Sequence, residues 1–170
     1  MTPEEMVAAA LEVAESGMAV GELPIGAVVV MGDDIIGRGY ATERTAGRRL
    51  THADINAMNE ADMLLGWDRR PFPLALAITL EPCVMCYGSA MMLGVSDIYY
   101  ALESPSDGGA WISSVWVNHR DAPFFTAPRV HGGILRSAAK DQHRRYCASA
   151  PESGYKAWAQ SLLALPDPVG

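Results

Sequence analysis

Apolar residues at Met6, Val7, Ala10, Leu11 and Val13 recur every three or four positions, with Glu4, Glu5, Glu12 and Glu15 between them. That spacing predicts an amphipathic helix over 3–16, opened by Thr2-Pro3 and closed by Gly17. The β-branched run from Ile25 to Met31, the turn Gly32-Asp33-Asp34 and the returning run Ile35 to Tyr40 predict a hairpin. Thr51 is placed to cap a helix over 52–65, with Ile55, Met58, Ala61, Met63 and Leu64 on its apolar faces and Gly66 at its end. Leu74 to Leu80 is apolar throughout, the pattern of a strand covered on both faces. Pro82 suits the start of a helix over 83–93, and Gly94 leads into a strand over 96–101. A helix between two strands implies a crossover and parallel pairing. From Glu103 to Arg129 the chain is rich in Gly, Pro and Ser with Trp111, Trp116, Phe124 and Phe125 among them, a loop long enough to be functional or mobile. A fifth strand near 128–130 and helices over 134–147 and 154–163 complete the series. The order predicts the α/β class: a three-layer α-β-α domain with a mixed five-stranded sheet, two of whose helix amino ends face each other.

Composition narrows this picture. A chain of 170 residues, 49% of them hydrophobic, is long enough for one well-buried core and short for two. A single domain over 1–170 is expected: a core over 3–101, the loop 103–129 and the carboxyl-terminal helices 134–163. No apolar run approaches the roughly 20 residues of a membrane span, and Met1 to Ala10, with Glu4 and Glu5, lacks the regions of a signal peptide. A cytoplasmic protein with no membrane partner is the expectation. Three cysteines do not make a disulfide framework, and a reducing compartment keeps thiols free for metal. Cys147 reads as a small buried apolar residue. The net charge of -7 opposes non-specific attraction to a phosphate backbone. Basic residues gather at Arg44, Arg48 and Arg49, at Arg69 and Arg70, and between Arg136 and Arg145, where a solvated face is the first reading.

Chemistry enters with His52-Ala53-Asp54 and Pro82-Cys83-Val84-Met85-Cys86. One imidazole and two thiolates are three good zinc ligands, and a catalytic zinc keeps its fourth position for water. Such a zinc makes water a nucleophile near neutral pH, and a carboxylate two residues from the His is placed to move protons. His52 and Asp54 fall in the first turn of one predicted helix and the two thiols at the amino end of another, where the helix dipole favours thiolate. A closed structural zinc would instead recruit His119, His131 or Cys147, and a redox Cys-x-x-Cys would leave His52 without a role.

The two motifs resemble those of the zinc-dependent cytidine and deoxycytidylate deaminase superfamily, in the branch containing tRNA adenosine and guanine deaminases. Gly21-Glu22-Leu23-Pro24-Ile25-Gly26-Ala27-Val28, Thr79-Leu80-Glu81-Pro82-Cys83-Val84-Met85-Cys86 and Gly88-Ser89-Ala90-Met91 extend the likeness, which fades past Ala101. One departure stands out: the family signature has Glu two residues after the His, and Asp54 is here. The resemblance implies that His52, Cys83 and Cys86 hold Zn2+ and that Asp54 shuttles protons. It further implies that an exocyclic amine is removed by hydrolysis from a free nucleobase, a nucleoside or a related aminated heterocycle. A tRNA wobble adenosine deaminase and a catalytically silent scaffold or partner subunit are the alternatives. Pro24, Ala27, Glu81 and Pro82 become candidate pocket residues, Glu81 more as a brace for the cysteine loop than as a chemical group. Relatives acting on purines often carry Asn eleven residues before the metal His. Ala41 stands there, with Thr42 beside it, so a base-reading amide is lost and Thr42 or Glu43 is left to take its place. The family also implies a homodimer. A small aminated heterocycle is favoured over tRNA as substrate because of the net charge.

Overall fold

The computed structural model describes residues 1–67 and 70–166, so Arg69 of the predicted basic groups lies outside the described residues. In chain order the elements are α1 (Pro3–Ala19), β1 (Gly26–Met31), β2 (Asp34–Tyr40), α2 (Glu43–Ala46), α3 (Ala53–Leu65), β3 (Leu74–Leu80) and α4 (Val84–Leu93). Then follow β4 (Val95–Leu102), α5 (Ile112–Val115), β5 (Arg129–His131), α6 (Arg136–Ser149) and α7 (Gly154–Leu163). The strands form one sheet in the order β2-β1-β3-β4-β5. β1 is antiparallel to both β2 and β3, whereas β3, β4 and β5 run parallel. The sheet is therefore mixed, as predicted, and α4 makes the expected crossover.

Side-chain alternation divides the core between two faces. Ala27 and Val29 of β1 join Leu76 and Ile78 of β3 and Ile98 of β4 beneath α3 and α4. Val28 and Val30 turn the other way with Ala77 and Leu102, beneath α1, α6 and α7. Helices thus cover both faces, which gives the three layers.

Several element ends differ from expectation. α1 passes through Gly17 to Ala19, because the bare glycine lets the Tyr40 ring lie against it; a Cβ there would sit 3.0 Å from the ring. His52 and Cys83 are the capping residues of α3 and α4 and not their first helical residues, and Thr51 donates its hydroxyl to the Arg48 carbonyl (3.0 Å) instead of capping. α2 and α5, four residues each, lie in segments that read as loop, too short to show a helical period. α6 begins and ends two residues later than predicted.

Close packing of α3 on β2 sets the height of the site. Cβ atoms at Gly37 and Gly39 would fall 2.2 Å from the Ala57 carbonyl oxygen and 2.4 Å from that of Ala53. Glycine on the strand and alanine at positions 53, 57 and 61 of the helix let the two backbones touch.

Candidate metal centre and active site

His52 and Cys83 both sit in extended backbone just before a helix, and neither side chain makes a capping hydrogen bond. The imidazole and the thiol are therefore free to point across the gap between the two helix starts. Cys86, one turn into α4, joins them. His52 Nδ1 lies 3.7 Å from Cys83 Sγ and 3.6 Å from Cys86 Sγ, and the two sulfurs are 3.5 Å apart. Tetrahedral zinc with Zn–S of about 2.3 Å and Zn–N of about 2.0 Å has ligand-to-ligand edges of about 3.5–3.8 Å. The triangle of donors fits zinc, and among the described residues these three form the one group able to hold a metal ion. His119, His131 and Cys147 do not join it, which removes the closed four-ligand arrangement.

The three groups strongly perturb one another. The neighbouring Cys86 thiol, together with His52, pulls Cys83 down to about 4. Hydrogen bonding to Cys83 in turn lifts His52 to about 9, and the same thiolate with burial pushes Cys86 up. Asp54 is 2% exposed, and desolvation raises its carboxyl to about 6, against the opposing hydrogen bond of the Cys86 thiol. Its oxygen also accepts the Ile55 N–H at 3.2 Å. A buried carboxyl whose proton affinity is raised toward neutrality, next to metal-ligating sulfur, suits a group that must both take and give a proton.

Behind the imidazole stands Glu43, whose Oε1 is 3.7 Å from His52 Nε2. Burial raises its carboxyl, and its Oε2 is enclosed without a hydrogen-bond partner. The backbone of α2 is held by Glu22, which is 1% exposed and accepts the Thr45 N–H at 2.6 Å and the Arg44 N–H at 3.4 Å. Asn56, one turn below His52, ties the preceding loop to α3 by donating to the Tyr40 carbonyl (2.9 Å), the Thr42 hydroxyl (3.1 Å) and the Thr51 carbonyl (3.2 Å).

A cavity of about 570 Å³ opens over His52, Asp54 and Cys83. Of the candidate pocket residues, Ala41 and Glu81 line it. Pro24, Ala27, Thr42 and Pro82 are not among its lining residues. The Pro24 carbonyl accepts the Thr79 hydroxyl at 3.1 Å, Ala27 is in the core, Thr42 bonds Thr51 and Asn56, and the Pro82 carbonyl accepts the Gly109 N–H at 2.8 Å. Contrary to the expectation of a brace, Glu81 does not hydrogen-bond the backbone of the cysteine loop; its two oxygens accept the Ser104 and Ala110 N–H groups at 3.0 and 2.9 Å. Those bonds fix the segment carrying Asp107 and Gly108 against Cys83, to which Gly108 is paired by a β-bridge. Leu23, Ile25, Arg49 and, from α7, Tyr155 and Trp158 also line the cavity, and the sequence pattern does not single them out. Asn56 sits in a helix that also carries Asp54, Asn59, Glu60 and Asp62, so its polarity does not mark it as a supporting residue.

Comparison with known proteins decides the family. Residues 1–102 match the family described as the cytidine and deoxycytidylate deaminase zinc-binding region. The chain belongs to this deaminase family. The matched region ends with β4 and contains the whole donor set, so the family's zinc is the metal that the triangle fits. Among deaminase relatives, a tRNA-specific adenosine deaminase of Streptococcus pyogenes serotype M18 (strain MGAS8232) is 36% identical over 102 residues, 59% of this chain and 63% of the relative. The chain thus spans less than two thirds of the streptococcal relative that it matches. A solved tRNA:A34 deaminase, from work on A-to-I editing at the wobble position of transfer RNA, superposes with a TM-score of 0.67 at 30% identity. That match covers 81% of this chain and 98% of the other. A point mutant of NE0047 in complex with 8-azaguanine superposes with a TM-score of 0.70 at 25% identity, over 85% and 84% of the two chains.

Proposed function

We propose that the chain is a zinc-dependent hydrolytic deaminase that replaces an exocyclic amine on a nucleobase ring by oxygen, releasing ammonia. The observation that carries this is the buried carboxyl of Asp54 placed beside a His52, Cys83, Cys86 triangle of zinc dimensions at the floor of a cavity. When bound, zinc supplies a water activated for attack near neutral pH. Asp54 would take one proton from the attacking water and pass it to the ring nitrogen next to the reacting carbon, then take the proton of the newly added hydroxyl and give it to the departing amine as the ring carbonyl forms. Asp is one methylene shorter than the Glu of the family signature, roughly 1.5 Å of reach. Asp54 lies close enough to Cys86 for each to shift the other's titration, which supports a carboxylate that reaches the centre all the same.

The relatives favour adenosine in a tRNA as substrate over the free ring expected from the net charge. A free aminated ring stands as the second reading on a specific observation. Tyr155 and Trp158 of α7 wall the chain's own cavity, and Arg49 is the one Lys or Arg among the described lining residues, which also include Glu43, Asp54, Glu81 and Asp107. A homodimer is supported by the exposed Met63, Trp67 and Met92 on the α3 and α4 side of the sheet, where Trp67 and Met92 line one groove. Among the described residues no helix is long and apolar enough to cross a membrane. Three free cysteines are in keeping with a cytoplasmic location.

The test is ammonia release by the zinc-loaded protein from free bases, nucleosides and a tRNA anticodon hairpin, run beside Asp54→Ala. Release from the hairpin alone identifies an RNA editor, and release from a free ring identifies the second reading. Asp54→Ala is expected to lower kcat by about 10²–10⁴-fold with zinc content unchanged. Silence from every substrate with zinc bound would sink the enzyme reading in favour of a scaffold.

A further inference from the structure

We infer that Glu43 is a positioning residue of the metal centre, holding the His52 ring in the tautomer that leaves Nδ1 free to bind metal, and that Glu22 holds Glu43 in place. The inference rests on the zinc reading of the His52, Cys83, Cys86 triangle and adds a layer behind it. His52 Nδ1 is the nitrogen that faces both sulfurs, at 3.7 and 3.6 Å. A neutral imidazole that gives Nδ1 to a metal carries its proton on Nε2, and Nε2 faces the Glu43 carboxylate at 3.7 Å. A closure of about 0.8 Å brings that pair to the usual N–H···O length of about 2.9 Å. Glu43 Oε2 is enclosed and makes no hydrogen bond, so that oxygen has no competing partner to satisfy. The Nε2–H of the ring is then the donor in front of the other oxygen, Oε1, of this largely buried carboxyl.

Glu43 is the first residue of a four-residue helix, an element too short to hold its own position. Its place is set from outside. The buried Glu22 carboxylate takes the backbone N–H groups of Thr45 and Arg44, and the Arg44 guanidinium donates to the Gly21 carbonyl. The loop before β1 thereby grips α2, and α2 presents Glu43 to the ring. Carboxylate partners of metal-bound histidines orient the ring and raise its basicity, and their loss typically costs 10–100-fold in metal affinity.

The experiment is zinc competition against a chromogenic chelator, with no substrate present, on the full-length protein and its variants. Wild type taking up one equivalent of zinc is the control; without uptake the zinc reading itself falls. Glu43→Ala is expected to weaken zinc binding about 10–100-fold, while Glu43→Gln, whose amide oxygen still accepts the Nε2–H, stays within a few-fold of wild type. Absorption spectra of the cobalt-substituted proteins follow the same order, shifted in Glu43→Ala and restored in Glu43→Gln. Glu22→Ala is expected to weaken zinc binding as well, and Glu22→Ala with Glu43→Ala to be no weaker than Glu43→Ala alone, because both act through one contact. Unchanged zinc affinity in Glu43→Ala overturns the inference, and so does a double variant whose losses simply add. Glu43→Ala and Glu43→Gln decide the matter by themselves if Glu22→Ala does not fold.

Discussion

At the scale of single residues, the ligand set is legible in the sequence because its signal is local. A His two positions before an acid and a Cys-x-x-Cys after a buried strand are short patterns with few other uses. The residues that steady the site are not legible, because each acts on a partner distant in sequence. Thr79 is an example: it donates its hydroxyl to the Pro24 carbonyl and accepts the Gly26 N–H at 3.2 Å, both inside the core. These bonds stitch the entry of β1 to the end of β3, one residue from the cavity wall at Leu80 and Ile25. Thr79→Val keeps the shape and removes both partners, so thermal unfolding should report a loss of about 1–3 kcal/mol. Glu22 and Asn56 belong with Thr79, since nothing in their immediate sequence announces the backbone groups that they satisfy.

At the scale of elements, strands are easier to read than helix starts. The run Leu74 to Leu80 matches its strand end for end because a strand buried on both faces has an unbroken apolar sequence. α3 and α4 start one residue later than their patterns predict, and the shift is chemical: a capping position with extended backbone is what frees His52 and Cys83 to face each other. α3 depends on its contact with β2, so Gly39→Ala should push the helix away from the strand. A drop in stability of about 1–3 kcal/mol in denaturant titration is expected, accompanied by weaker zinc retention. At the far edge of the sheet, β5 is pinned by Asp97, which binds Arg129 at 2.8 Å and His131 at 3.3 Å. Arg129 holds the Asp97 carboxyl below its ordinary value of 3.8, and His131 adds to it. A lowered folded-state value means that the stabilisation is present above pH 3.8 and drains away as pH falls through the lowered one. Asp97→Asn should therefore melt slightly below wild type at pH 7, and the gap should close in strong acid and narrow in high salt.

Across the whole molecule, the metal centre joins two helices that otherwise meet only through one face of the core. Zinc bound to the folded chain and not to the unfolded one should stabilise it, by about 2.7 kcal/mol at a hundred times its dissociation constant. Melting with and without a strong chelator measures this, and equal midpoints would refute it. The three-layer architecture follows from the order of elements, whereas the docking of α7 beside the cavity does not, because a helix pattern says which face is apolar and not what it covers. That docking has a consequence for the order in which the protein is made. The donor set and the sheet from β1 to β4 lie within residues 1–102, while Tyr155 and Trp158 come later in the chain. A nascent chain grows from its amino end, so metal capture can precede the enclosure of the cavity.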